Sequence, residues 1–209
     1  GERAIRVEDR ITIEAGEGAE TDLVLDEALA VASATWQDGR PVTLERQGAR
    51  LKALRPPVGR STLTLRYGGL VNDDVKKSDA LAWVAGDGTR GLVHEKGVYL
   101  AGSSRWVASP VGRQALARHH VTAYIPAPYL VVTQGGIAER SSVTTAKGWT
   151  GADRIAPVAA PAGAEPGATW NRSVARAVIP TDDCSLSAGP YVTSSKVVGG
   201  VTVATWFLP

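Results

Sequence analysis

The stretch Ala34-Thr35-Trp36-Gln37-Asp38-Gly39-Arg40-Pro41-Val42-Thr43-Leu44 decides the fold class. Asp38-Gly39 at its centre is a strong signal for a β-hairpin turn, because both central residues of a type I′ turn need positive φ angles, which Gly and Asp tolerate best. Around this stretch, from Ile5 to Tyr67, apolar and polar residues alternate with a period of two, which is typical of half-buried strands. A second turn is predicted at Gln47-Gly48-Ala49. The first third of the chain therefore predicts a β-meander.

Strand signals also dominate the remainder of the chain. Further strands are predicted over 119–125, 129–133, 169–179, 191–198 and 201–208, the last two joined by Gly199-Gly200. Residues 152–168 are rich in Ala, Pro and Gly and predict a long exposed loop. No run combines helix caps with an apolar stripe. The predicted fold is all-β: a β-sandwich of two packed antiparallel sheets.

Composition narrows the classes of function. A chain of 209 residues fits one large β domain, 1–209, and contains no methionine, not even at position 1, so we expect a processed or excised part of a longer protein. The net charge is only +2 and the cations are scattered, which excludes nucleic acid as a partner. No apolar run is long enough for a membrane helix. The single cysteine does not fix the redox compartment, so export to a bacterial periplasm or cell envelope stays open.

Motifs for catalysis or metal binding fail on their spacing. His94-Glu95 begins like a zinc peptidase helix, but Val98 occupies the place of the second histidine. His119-His120 are adjacent, so on a strand they point to opposite faces. Cys184 follows two aspartates, which favours an inert thiol. We therefore predict no catalytic residue, no metal ligand and no cofactor in this chain.

The segment Gly97 to Pro110 is the densest in side chains that could face a partner. Its central residues Ser103, Ser104, Arg105 and Trp106 are the candidates for contact with another domain or a substrate. The simpler interpretation is a short strand over 98–100, a Gly-Ser turn and a Trp that covers one end of the core. The six Trp residues leave two alternatives open: an exposed platform for sugar, or core filling, which strand-like positions favour for Trp36, Trp83, Trp149, Trp170 and Trp206.

The order of these segments resembles the N-terminal β domain of the M1 (gluzincin) zinc aminopeptidases. The likeness spans nearly the whole chain and depends on order, since each motif is weak alone. The segments that carry it are Leu23-Val24-Leu25-Asp26, the Asp38-Gly39 turn, Leu51, Thr62 to Gly69, Gly97 to Leu100 with Ser104-Arg105-Trp106 and Pro110, Val121 to Pro126, Val131 to Gly135, Thr169-Trp170, Leu186 to Tyr191 and Val203 to Leu208.

The resemblance implies a saddle-like β-sandwich that packs on a following catalytic domain and shapes its substrate cleft. That catalytic domain holds the family's zinc and is absent from this sequence, so we expect no peptidase activity from the chain alone. The expected partners are the C-terminal catalytic domain of the same protein and a peptide substrate. Where the family places a Gln or Glu for the substrate amine, this chain has Val98 and Leu100. The alternative is a free-standing β-sandwich binding module for carbohydrate or protein.

Overall fold

The structure, a computed structural model, describes residues 3–73, 89, 91–111, 116–144 and 169–209. These residues form antiparallel strands and one short 3-10 turn, Gly102–Ser104, which confirms the all-β prediction. The strands are β1 (Ala4–Ala15), β2 (Thr21–Val24), β3 (Ala30–Trp36), β4 (Leu44–Gln47), β5 (Arg50–Ala53), β6 (Gly59–Leu70), β7 (Gly91–His94), β8 (Gly97–Leu100), β9 (Ser109–Pro110), β10 (His120–Pro126), β11 (Leu130–Thr133), β12 (Gly136–Thr144), β13 (Thr169–Arg176), β14 (Leu186–Gly189), β15 (Val192–Val198) and β16 (Val201–Phe207). The predicted loop 152–168 lies outside the described residues, as do Trp83 and Trp149.

The first sheet has the order β1-β6-β3 and is built on two long strands. β1 and β6 pair over their whole length, from Ala4 opposite Leu70 to Ala15 opposite Gly59. Alternate residues of β6 face the core, and the side chains of Leu63, Leu65 and Tyr67 are fully buried.

The meander predicted for the first third is wrong in its connections. β1 and β3 both pair with β6, whereas β2 and β4 belong to a second sheet of order β4-β5-β2-β9. The chain does reverse at Asp38-Gly39, where Gly39 has φ +84° and the Trp36 N–H donates to the Arg40 carbonyl at 2.9 Å. Asp38 does not have a positive φ angle, so the expectation of a type I′ turn is wrong. Thr35 and Pro41 form an isolated bridge and the Val42 N–H donates to the Ala34 carbonyl at 3.0 Å, after which the second arm leaves for the other sheet.

The remaining strands form two more sheets and a hairpin. The sheets have the orders β11-β14-β8-β7 and β10-β13-β12, and β15 pairs with β16. Where two sheets are predicted, four sheets pack in a sandwich-like arrangement around one hydrophobic core. That core is shared by the buried residues Leu23, Leu25, Leu29, Trp36, Leu51, Ala53, Leu63, Leu65, Tyr67, Leu100, Trp106, Ala108, Ile125, Val131, Cys184, Leu186 and Ala188.

Four strands, β7, β9, β12 and β14, are not predicted by the sequence pattern, and β12 is the longest of them. Its register shifts between Ile137 and Glu139, so Ala138 is an extra residue relative to β13. Such a bulge breaks the alternation by which strands are recognised. β12 nevertheless pairs with β13 and reaches the hairpin through Arg140.

Gly69 provides a test of this packing. A Cβ at position 69 would lie 2.1 Å from the Ala28 carbonyl oxygen, whereas a Cβ at Gly136 would meet nothing within 4 Å. We expect Gly69→Ala to lower the free energy of unfolding by about 3 kcal/mol or more, because backbone must move to admit the methyl group. Gly136→Ala is the matched control and should change it by less than about 0.5 kcal/mol. Urea unfolding measures both, and equal stabilities would contradict the close approach of the turn at Ala28 to β6.

Candidate functional site

The candidate segment begins where β8 ends at Leu100. The Ser104 N–H donates to the Ala101 carbonyl at 3.0 Å, and the Ser104 hydroxyl donates to the same oxygen at 2.6 Å. Arg105 then adopts the left-handed conformation, with φ 56° and ψ 33°, and reverses the chain direction. The simpler interpretation, a short strand followed by a Gly-Ser turn, is confirmed for this segment.

Trp106 lies in the core and is 7% exposed. Its indole N–H donates to the Cys184 carbonyl at 2.7 Å, and its own carbonyl accepts a hydrogen bond from the Tyr67 hydroxyl at 3.1 Å. Both polar ends of the residue are therefore satisfied inside the chain. Trp106 joins the segment to the first sheet through Tyr67 and to the approach to β14 through Cys184.

A carboxylate stands beside this junction. Asp9 Oδ2 accepts a hydrogen bond from the Ala108 N–H at 3.2 Å and lies 3.3 Å from the Tyr67 hydroxyl, whose single proton is shared between Asp9 and the Trp106 carbonyl. Burial raises the pKa of Asp9 to about 6, although both hydrogen bonds oppose that shift. Burial and the neighbouring Asp9 together raise the pKa of Tyr67 well above its usual value, which keeps its hydroxyl proton in place.

Of the four candidate residues, Ser103 and Arg105 are exposed, whereas Ser104 is buried like Trp106. Ser103, Ser104 and Arg105 line a shallow cavity of about 180 Å³ together with Asp26, Glu27 and Ala49. The Asp26 N–H donates to the Arg105 carbonyl at 2.9 Å. This hydrogen bond holds together the two segments that form the rim of the cavity. A hydroxyl, a guanidinium and two carboxylates can bind a small polar group there. Contact of Ser103, Ser104, Arg105 or Trp106 with another domain or a substrate stays a prediction.

A second cavity, of about 150 Å³, was not anticipated from the sequence. It is lined by Leu130, Arg140, Ser141, Ser142, Asn171, Arg172 and Ser173. The signal in the sequence is the run of polar residues on β12 and β13, but their pairing is visible only in the structure. Ser142 donates to the Asn171 side-chain oxygen at 3.2 Å, and Arg172 forms an ion pair with Glu139. These contacts hold the wall of the cavity together.

The groups able to do chemistry are dispersed. Within the described ranges, no group of three or more His, Cys, Asp or Glu residues is placed to hold a metal ion. His94 Nδ1 accepts a hydrogen bond from the Lys96 N–H at 3.2 Å. Burial raises the pKa of the Cys184 thiol to about 11, with a smaller contribution from Asp183, so it is a poor nucleophile. Among the described residues, no helix has the length and apolarity to cross a membrane.

The described Trp residues do not form a flat exposed row. Trp36 and Trp106 are buried, and Trp170 and Trp206 are partly buried. Arg140 lies over the Trp206 ring, 4.7 Å from its centroid. These positions agree with core filling and with packing between elements.

No protein-family model matches the sequence, and no curated protein does. Solved structures, in contrast, share its fold. The M1 zinc metallopeptidase of Deinococcus radiodurans, in a mutant bound to a Tyr-Ser-Ala substrate, is 15% identical, with a TM-score of 0.64 over 97% of this chain and 43% of that chain. A two-domain M1 zinc metallopeptidase mutant bound to L-tryptophan is 16% identical, with a TM-score of 0.64 and the same coverage. Aminopeptidase A of Legionella pneumophila, in complex with aspartic acid, is 13% identical, with a TM-score of 0.62 over 91% of this chain and 20% of that chain.

The fold is therefore one that is found as a part of M1 zinc metallopeptidases. The chain spans less than half the length of the solved proteins that it resembles, 43% of the Deinococcus enzyme and 20% of the Legionella enzyme. The likeness covers nearly all of this chain, so its strands have counterparts in those enzymes almost throughout.

Asp9 provides a test of the junction at Trp106. Its pKa of about 6 exceeds the ordinary value of 3.8, so the folded state holds the proton more tightly than the unfolded state does. The free energy of unfolding should therefore fall as the pH rises through the window from about 4 to about 6, by roughly 3 kcal/mol for a two-unit shift. Asp9→Asn should remove most of this fall, as measured by the urea midpoint across the window.

Asp38→Asn is the control for this experiment. Hydrogen bonds from the Arg40 backbone and side chain lower the pKa of Asp38, so this carboxyl contributes nothing to a fall between pH 4 and 6. The Asp38→Asn variant should keep the wild-type slope. A wild-type protein whose stability is flat or rising over this window would contradict the burial of Asp9.

Proposed function

We propose that this chain is the non-catalytic N-terminal domain of an M1-like zinc metallopeptidase, which packs on the catalytic domain and shapes one wall of its substrate cleft. One observation carries the proposal. The fold matches 97% of this chain but only 43% of a metallopeptidase chain, as expected for one domain of a larger enzyme. The zinc and the catalytic residues belong to the domain that this sequence lacks.

The interior of the described residues supports a scaffold. Trp106, Tyr67 and Asp9 use their polar groups to join sheets. The exposed hydroxyl and guanidinium of Ser103 and Arg105 stand at the rim of a cavity too small for a peptide, about 180 Å³. Exposed polar side chains at this position can contribute contacts to a larger cleft that forms between this domain and a second one.

The alternative, a free-standing binding module, needs an exposed aromatic platform. Trp36 and Trp106 are in the core, and Trp206 lies under Arg140. Two further Trp residues, Trp83 and Trp149, lie outside the described ranges. The described Trp residues favour the scaffold over the module.

The positions that the resemblance associates with the substrate amine also bear on specificity. Leu100 is buried and Val98 is partly buried, and neither offers an acceptor for an ammonium group. We therefore assign to this domain the shaping of the cleft and not the recognition of a free amino terminus.

The proposal is tested in the longer polypeptide that contains this chain. That polypeptide should bind zinc and hydrolyse peptides, and chelation should abolish the activity. Arg105→Ala should lower kcat/KM by about tenfold for substrates that span the cleft, since a side chain at its rim is removed. Rates of hydrolysis of peptides of several lengths, measured over a range of substrate concentrations, give kcat and KM.

Arg55→Ala is the matched control. Arg55 is also exposed and also left-handed, with φ 54° against 56° for Arg105, so the two substitutions carry the same backbone cost. Its kcat/KM should stay within about twofold of wild type. Zinc-dependent activity that responds equally to both substitutions would remove the role of Arg105, and a longer polypeptide without bound zinc or peptidase activity would overturn the proposal.

A further inference from the structure

The hairpin of β15 and β16 has two different faces. Residues directly opposite each other in an antiparallel pair place their side chains on the same face, and faces alternate along each strand. The pairs Val192–Phe207, Ser194–Thr205, Lys196–Val203 and Val198–Val201 lie on one face, here called the apolar face. The pairs Thr193–Trp206, Ser195–Ala204 and Val197–Thr202 lie on the other, here called the Trp206 face.

The hairpin contacts the rest of the chain through Trp206, which is partly buried, whereas the other side chains of β15 and β16 are exposed on both faces. The rings of Tyr191 and Trp206 meet edge to face, with centroids 6.3 Å apart and an interplanar angle of 82°. The Arg140 guanidinium of β12 lies 4.7 Å from the Trp206 ring centroid. Trp206 thus anchors the hairpin by this face and turns the apolar face away from β12.

The apolar face is uncovered. Val192, Val198, Val201, Val203 and Phe207 are between 46% and 63% exposed. Seven of the fourteen large hydrophobic side chains that the described residues expose lie between Val192 and Leu208. An isolated two-stranded hairpin is marginal in water, and contiguous apolar residues of this kind mark an interaction surface.

We propose that the apolar face of the hairpin is the surface on which the catalytic domain of the same polypeptide docks. This inference rests on the proposed function and adds to it the surface through which the two domains contact each other. The solved metallopeptidases of this fold have more than half of their chain outside the matched part. A domain that continues from Pro209 emerges two residues beyond Phe207, so it is held beside the apolar face at a high effective concentration.

The composition of the face fits that occupant. Its single charged side chain is Lys196, and it carries no carboxylate. Such a face is complementary to the apolar surface of a protein domain and lacks the charge array of a polyanion site. The docking surface inferred here is therefore the hairpin, and the Ser103–Arg105 rim is left free to line the cleft.

Thiol labelling in the full-length polypeptide tests the inference. Val201→Cys and Val203→Cys place a thiol on the apolar face, and Val197→Cys places one on the opposite face at the same end of the hairpin. Val201 and Val197 have matched exposures of 63% and 65%, so an undocked hairpin labels equally at both. Maleimide incorporation is read by mass spectrometry of the hairpin peptide, which separates these sites from other cysteines.

We expect labelling at positions 201 and 203 to be at least about tenfold slower than at 197. Equal rates at all three positions overturn the inference, and protection that disappears on dilution overturns it in favour of a second copy as the occupant. Should Val203→Cys fold poorly, Val201→Cys near the hairpin tip gives the same comparison. Equal labelling rates in a polypeptide that binds zinc and hydrolyses peptides overturn the docking surface but not the proposed function. A polypeptide without bound zinc or peptidase activity overturns both the proposed function and the docking surface.

Discussion

The hydrogen bonds of Trp106 join parts of the chain that share no strand ladder. Its indole N–H bonds to the Cys184 carbonyl, 78 residues further along, and its carbonyl bonds to Tyr67 on β6. Tyr67 shares Asp9 with the Ala108 N–H, so the first sheet, the 101–110 segment and the approach to β14 meet at one buried point. Each of the four sheets has only three or four strands, and none of them spans the whole core. Hydrogen bonds between the sheets, such as those at this junction, therefore hold them together. The raised pKa of Asp9 follows from the same burial.

The local features of the fold could be predicted from the sequence, because alternation and turn residues act over a few positions. The turns at Gly39, Gly48 and Gly199-Gly200 all show the positive φ angles that their glycines predict. Strand partners could not be predicted, because β1 pairs with β6 across four intervening strands. The bulge at Ala138 hid β12 for a different reason, since it shifts the alternation by one residue.

The strand and turn of the candidate segment could be predicted from the sequence, but the orientation of its side chains could not. A Trp beside Ser and Arg fits a contact surface or a core plug equally well, and the decision depends on a carbonyl acceptor at Cys184 that sequence patterns do not reveal. The hairpin shows the converse. Alternating Val residues predict a buried face, yet Val201 and Val203 are exposed because the hairpin contacts Arg140 through Trp206, on its other face. This apolar face, with its uncovered valines and phenylalanine, becomes intelligible once the chain is one domain of a larger protein.

We propose that a zinc peptidase domain follows this chain in its polypeptide. The most direct measurement is the sequence of the parent gene downstream of the codon for Pro209. We expect a domain with a His-Glu-x-x-His helix and a further Glu ligand beyond it, the ligand set of a catalytic zinc site. A frame that stops shortly after Pro209, or that continues into a domain without these ligands, would overturn the proposed function and favour a free-standing β-sandwich module.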